Sequence, residues 1–167
     1  MRTGQWRCVA MTFGAVGLPT VALDQASKAA ALAWLAPDVP YPLLGRVLSL
    51  QLVHNPGAAF SFASSSTWVF TIVATIVVVG VAVVSAQVRN RLWQLSLGLL
   101  VGGAAGNLID RLVQPPSFGQ GHVVDFINYN GWFIGNVADI AIVAAVVAVM
   151  ILTARGVPMG RTDEEER

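Results

Sequence analysis

Residues 67–88 contain no charged side chain and are built largely of valine, isoleucine, alanine and threonine. A helix of roughly 20 mainly apolar residues crosses the hydrocarbon core of a bilayer. A chain that carries such a run has few water-soluble folds open to it. Comparable runs lie at 92–112, with Asp110 and Arg111 at the far end, and at 133–154, interrupted by Asp139 near its start. A fourth lies at 8–35, where the apolar character crosses Asp24 and Lys28 and resumes in an alanine-rich stretch. Of the 167 residues 55% are hydrophobic and 11% charged, against about 25% charged in an ordinary soluble domain. A chain this short cannot hide so much apolar surface in a water-solvated core. The expected fold is therefore an all-α membrane protein: a four-transmembrane-helix bundle forming one integral membrane domain over residues 1–167.

The first run has a second reading as a cleaved signal peptide, with Arg2 and Arg7 as its basic start and 8–23 as its apolar part. The alanine-rich continuation past Asp24 speaks for a membrane helix. Cys8 stands at the start of the apolar run, not at its end, so the chain is not itself a lipoprotein. Arginines set the orientation through the positive-inside rule. Arg2 and Arg7 precede the first run, Arg89 and Arg91 separate the second and third, and Arg155, Arg161 and Arg167 follow the fourth. Residues 114–132 hold no Lys or Arg. Both termini are expected in the cytoplasm, with 36–66 and 114–132 outside and an acidic solvated tail at 161–167. In the first outer loop, Leu48-Ser-Leu-Gln-Leu-Val53 alternates apolar and polar residues as a strand does, and His54-Asn-Pro-Gly57 breaks it. A small extracytoplasmic β element is expected there. The net charge of +1 suggests no nucleic-acid partner, and one cysteine rules out an internal disulfide. His54 and His122 lie in loops without metal-ligand spacing, so no metal is expected.

Outside the tail every acid is an aspartate: Asp24, Asp38, Asp110, Asp125 and Asp139. The expected topology gathers them at or beyond the outer half of the membrane, where a carboxylate at depth is costly unless paired or wet. Asp24 and Lys28 share a helix face at i,i+4, and Asn107, Asp110 and Arg111 share one at i,i+3 and i,i+4. Asn136 and Asp139 share one at i,i+3. Gly102, Gly103 and Gly106 let the third helix approach its neighbours. Structural readings stand beside each: an Asp110–Arg111 ion pair, an interfacial Asp24–Lys28 pair with a snorkelling lysine, and glycines that only pack. Asp125, within Val123-Val-Asp-Phe-Ile127, and Asp139 have no basic neighbour in sequence. Carboxyls in apolar surroundings hold protons to higher pH, and two that meet share one. Such a pair suits activation of water by general acid–base catalysis. Membrane carboxylates also serve as proton relays, so a small proton-coupled transporter fits the same residues.

Five blocks stand in order along the chain: Asp24-Gln-Ala-Ser-Lys28, Asn55-Pro-Gly-Ala-Ala-Phe-Ser61, Gly102-Gly-Ala-Ala-Gly-Asn-Leu-Ile-Asp-Arg111, Val123-Val-Asp-Phe126 and Asn136-Val-Ala-Asp139. Together they resemble the lipoprotein signal peptidase (signal peptidase II) family of bacterial aspartyl proteases. The resemblance implies Asp125 and Asp139 as the catalytic pair and Asp24 as a support of the site. It implies Asn55, Asn107, Asn136 and Arg111 as residues lining the site and its substrate cleft, and the blocks also contain Lys28, Gly57 and Asp110. One departure is Gly135, where many members carry phenylalanine before the asparagine; here Phe133 stands two residues earlier. The implied reaction removes the signal peptide from a prolipoprotein bearing a diacylglyceryl cysteine, cutting just before that cysteine, without cofactor or metal. It further implies a bacterial cytoplasmic (inner) membrane location, a site at the outer face, contact with membrane lipid, and inhibition by globomycin-type peptides.

Overall fold

The computed structural model describes residues 10–57 and 67–160. The start of the first expected span at 8–9, positions 58–61 of the second block and the tail at 161–167 lie outside the described residues. Among the described residues the first helical element is a π-helical stretch, Met11–Gly17, that runs straight into α1, Leu18–Trp34. The Leu18 N–H donates to the Phe13 carbonyl, five residues back. Pro19 explains the wide turn: it has no N–H, and its ring would strike the carbonyl four residues earlier in a regular helix. The remaining helices are α2, Thr67–Ser85, α3, Arg91–Val113, and α4, Val137–Ala154.

Three of these, α2, α3 and α4, are long and apolar enough to cross a membrane, with mean hydropathy 2.5, 1.4 and 2.6. Helix α3 is the least hydropathic because it is the hub: 56% of its apolar window is buried in the protein, against 11% for α2 and 22% for α4. A hub helix can carry polar side chains, since its neighbours and not lipid surround them. Its glycines make that packing possible. A Cβ at Gly102 would lie 2.6 Å from Cβ of Thr20, one at Gly103 would lie 2.6 Å from the Ala138 carbonyl oxygen, and one at Gly106 would lie 2.5 Å from Oδ2 of Asp24. Below the site, Val81, Trp93, Leu97, Val101 and Leu152 close an apolar core between the helices.

The expected small β element is a sheet with strands from both loops, 36–66 and 114–132. Four antiparallel strands lie in the order β1-β2-β3-β4: β1, Tyr41–Leu44, β2, Leu48–Asn55, β3, Val123–Tyr129, and β4, Phe133–Gly135. His54 is therefore a strand residue and the break falls after Asn55. Asp125, expected in a loop, sits within β3 opposite Val53 of β2. Val123, Val124 and Phe126 are buried on both sides of it, and an apolar run covered on both faces reads as a buried strand. The last run also starts later than expected. Phe133–Gly135 pair with β3 through Ile127 opposite Gly135, and the helix begins after Asn136. The three-residue loop between the paired Tyr129 and Phe133 opens on Asn130 and Gly131 at φ 55° and 79°, left-handed positions that asparagine and glycine tolerate. The sheet rests on the C-terminal end of α1, where Leu52, Val124 and Phe126 pack against Ala31.

Candidate active site

Helix α1 brings in Asp24, Gln25 and Lys28. Asp24 is fully buried and Lys28 is 2% exposed, so the lysine is held in the interior and does not snorkel to an interface. Its Nζ lies 2.8 Å from Oδ2 of Asp24 and 2.8 Å from Oδ2 of Asp110, and donates to Oδ1 of Asn107 at 3.0 Å. A buried ion pair holds only when its remaining hydrogen-bonding capacity is met. Here Oδ1 of Asp24 accepts the Ala138 N–H of α4 at 2.9 Å, and Oδ2 of Asp110 accepts the Val124 N–H of β3 at 3.0 Å. The cluster thus joins α1, α3, α4 and the sheet. Gln25, which the sequence reading did not single out, donates from Nε2 to Asp24, Asp110 and the Gly106 carbonyl at 3.1–3.2 Å.

The expected Asp110–Arg111 ion pair does not form. Adjacent residues on a helix do not face each other, so the two side chains diverge. Arg111 Nη1 donates to the carbonyls of Gly121 at 3.0 Å and Pro56 at 3.3 Å. Its guanidinium also lies 5.3 Å from the centre of the Phe70 ring, a cation–π distance. Gly57 stands against the same ring at φ 114°, where a side chain would have neither room nor a comfortable backbone.

Asp125 and Asp139 meet at one cavity of about 300 Å³, which Asn55, Asn107 and Arg111 also line. Its far wall is apolar, from Val73 and Val77 of α2 to Ile142 of α4. Neither carboxyl is without partners. Asp125 accepts Nδ2 of Asn136 at 2.7 Å on Oδ1 and Nδ2 of Asn55 at 2.8 Å on Oδ2. Asp139 accepts Nδ2 of Asn107 at 2.9 Å on Oδ1 and the Asn136 backbone N–H at 3.1 Å on Oδ2. Asn136 caps α4, its Oδ1 taking the Asp139 N–H at 3.0 Å, so the pair forms a reciprocal capping box. The i,i+3 spacing of Asn136 and Asp139 therefore has a structural cause as well as a place in the site. Burial pushes Asp125 up to about 7; the Asn55 amide opposes this, Asp139 adds to it, and Asn136 and Lys28 oppose it. Burial also lowers His122, with Arg111 and His54 adding to the effect. At the family's phenylalanine position, a Cβ on Gly135 would lie 2.5 Å from the Phe133 ring and 2.8 Å from Oδ2 of Asp139. The Phe133 ring occupies that space and stacks on Tyr129 with centroids 6.1 Å apart.

Residues 16–155 match the family model of signal peptidase II. The chain belongs to the signal peptidase II family. Relatives named lipoprotein signal peptidase include those of Rhodococcus jostii, 46% identical over 81% of this chain and 69% of the relative, and Mycobacterium avium, 40% identical over 84% and 78%. That of Bifidobacterium longum subsp. infantis is 38% identical over 96% and 87%. Two solved structures described as a bacterial membrane enzyme share the fold. One has a TM-score of 0.73 at 26% identity, covering 83% of this chain and 89% of that one. The other has a TM-score of 0.74 at 24% identity, covering 89% and 92%. The chain is a multi-pass membrane aspartic protease that removes signal peptides from prolipoproteins. The proton-coupled transporter finds no support in these similarities.

Proposed function

We propose that Asp125 and Asp139 are the catalytic pair, that they cut just before a diacylglyceryl-modified cysteine, and that they do so at the outer face of a bacterial cytoplasmic membrane. The observation that carries the first part is the shared cavity: both carboxyls line it, and each is held by amide N–H groups from asparagines. Asp125, pushed up to about 7 mainly by burial, carries the shared proton near neutrality. It polarises the scissile carbonyl and then protonates the leaving amine. Asp139 takes the proton from the attacking water. Asp24, Lys28 and Asp110 hold the elements together. Asn55, Asn107, Asn136 and Arg111 shape the cleft, and Gly57 gives the Phe70 ring its place beside it. The apolar cavity wall on α2 and α4 suits a signal helix or acyl chain arriving from the lipid phase.

The test is incubation of the purified protein in detergent with a lipidated prolipoprotein. The expected result is a mass loss equal to the signal peptide, unaffected by chelators and blocked by a globomycin-type peptide. An unlipidated prolipoprotein cut equally fast would refute the substrate assignment.

In the proposed topology Met11–Trp34 is the remaining crossing, which makes four, with both termini cytoplasmic. Helix α1 alone has 17 residues, about 26 Å at 1.5 Å per residue, and the π-helical stretch before it lengthens the crossing further. Reporter fusions at Arg89 and at the C-terminus should report cytoplasm, and fusions near Arg46 and Gln120 should report the outside. A C-terminus found outside would mean an odd number of crossings and would overturn this topology.

A further inference from the structure

Lys28 meets three acceptors: Asp24, Asp110 and Oδ1 of Asn107. An ammonium has three N–H donors and no acceptor, so these contacts use it fully. Charge balance accounts for the two carboxylates. The contact to Asn107 does something else. The two ends of a carboxamide are nearly equal in size, and its direction is set by what it faces. Lys28 only donates, so the Asn107 oxygen must face it. The amide nitrogen is thereby left toward Asp139, at 2.9 Å from Oδ1. Nδ2 of Asn136 donates to the same Asn107 oxygen at 3.1 Å and to Asp125 at 2.7 Å.

We propose that Lys28 is a positioning residue for the Asp125–Asp139 pair, holding the Asn107 oxygen so that the amide N–H of Asn107 points at Asp139 and Asn136 keeps its donor on Asp125. The proposal rests on the reading of those two aspartates as the catalytic pair. Without Lys28 the Asn107 oxygen is held by the Asn136 amide alone, and an Asn107 that turns offers Asp139 its oxygen, which only a protonated carboxyl can meet. The charged groups facing the pair are Asp24 and Lys28 from α1 and Asp110 and Arg111 from α3, besides the two carboxyls themselves. Loss of the Lys28 cation therefore acts in the same direction as the turned amide: the pair keeps an additional proton to higher pH.

The test compares wild type with Lys28→Met and with Lys28→Met/Asp110→Asn. The double variant keeps the net charge of the cluster, and its amide oxygen still accepts the Val124 N–H, so it guards against failure of the single variant to fold. In the single variant the pH profile of kcat should move up by about one unit, which at the acid side is about a tenfold loss of kcat, and in the double variant it should move the same way by a smaller amount, with KM changed by less than about twofold in both. A profile lowered equally at every pH, or a loss confined to KM, would overturn the proposal and leave Lys28 a purely structural residue. Asp125→Asn and Asp139→Asn are assayed alongside. If they retain turnover, the catalytic pair itself is misassigned; if they lose it while both Lys28 variants keep the wild-type profile, only the positioning role fails.

Discussion

Asp125→Asn and Asp139→Asn should each cut lipidated prolipoprotein at least about a thousandfold more slowly than wild type, while still binding it. Asparagine keeps the size of aspartate but cannot take a proton from water or hold one to give to the leaving amine. The double variant should be little worse than either single one, because groups that act as one catalytic unit are not additive. Each substitution also has a structural cost set by the asparagines around it. Asp125 accepts two amide donors, from Asn136 and Asn55, and an asparagine there can accept only on its oxygen. Neither neighbour can turn freely to compensate. Oδ1 of Asn136 holds the Asp139 N–H and Oδ1 of Asn55 holds the Gly57 N–H. One donor is left facing another, a loss of about 1–3 kcal/mol, which thermal unfolding in detergent should register. Activity must therefore be expressed per folded molecule. Single-turnover cleavage with substrate binding measured on the same sample separates the two effects. Turnover within about tenfold of wild type in either variant would remove the aspartyl mechanism from these residues.

The helices were legible because charge-free apolar runs have one common solution in lipid. The gathering of Asp24, Asp110 and Asp139 in one part of the bundle was legible because the apolar runs fix how far along its helix each polar residue falls. The finer structure depended on signals that compete with hydropathy. Phe133, Ile134 and Gly135 are apolar and adjoin an apolar helix, so hydropathy assigns them to it; the Asn136 cap is what separates them. The Asn130-Gly131 turn marks the β3–β4 hairpin in the sequence itself, and with it the strand that carries Asp125. The partners of Lys28 were half legible. Its i,i+4 relation to Asp24 is local, whereas Asp110 reaches it only because Gly102, Gly103 and Gly106 let α3 approach α1 and α4 closely. Proximity in sequence misled for Arg111, whose partners are backbone carbonyls of Pro56 and Gly121. Backbone acceptors brought by loops leave no trace in residue types. That Asp125 and Asp139 share a cavity was beyond spacing alone, since one comes from a strand and the other from a helix start.

Cleavage should fall about tenfold per pH unit above neutrality, because the active pair must hold one proton. Asp125 sets this limb. Burial is the largest influence raising it, to about 7, and above that pH the proton needed to polarise the carbonyl is lost. The direction can be tested through Asn55, whose amide donates to Oδ2 of Asp125 at 2.8 Å and so favours the ionised form. In Asn55→Ala that donor is gone, Asp125 keeps its proton to higher pH, and the alkaline limb of kcat should move upward. Stability follows the same sign. The folded state holds the Asp125 proton up to about 7, whereas an unfolded aspartate releases it near 3.9. The folded protein therefore binds more protons between those values. The stability associated with Asp125 is fully present below the unfolded value and is lost as pH rises through about 7. The measurement is kcat from pH 5 to 9 for both proteins, with unfolding temperatures recorded in the same buffers. A flat profile across that range, or an Asn55→Ala limb shifted downward, would show that Asp125 does not carry the shared proton.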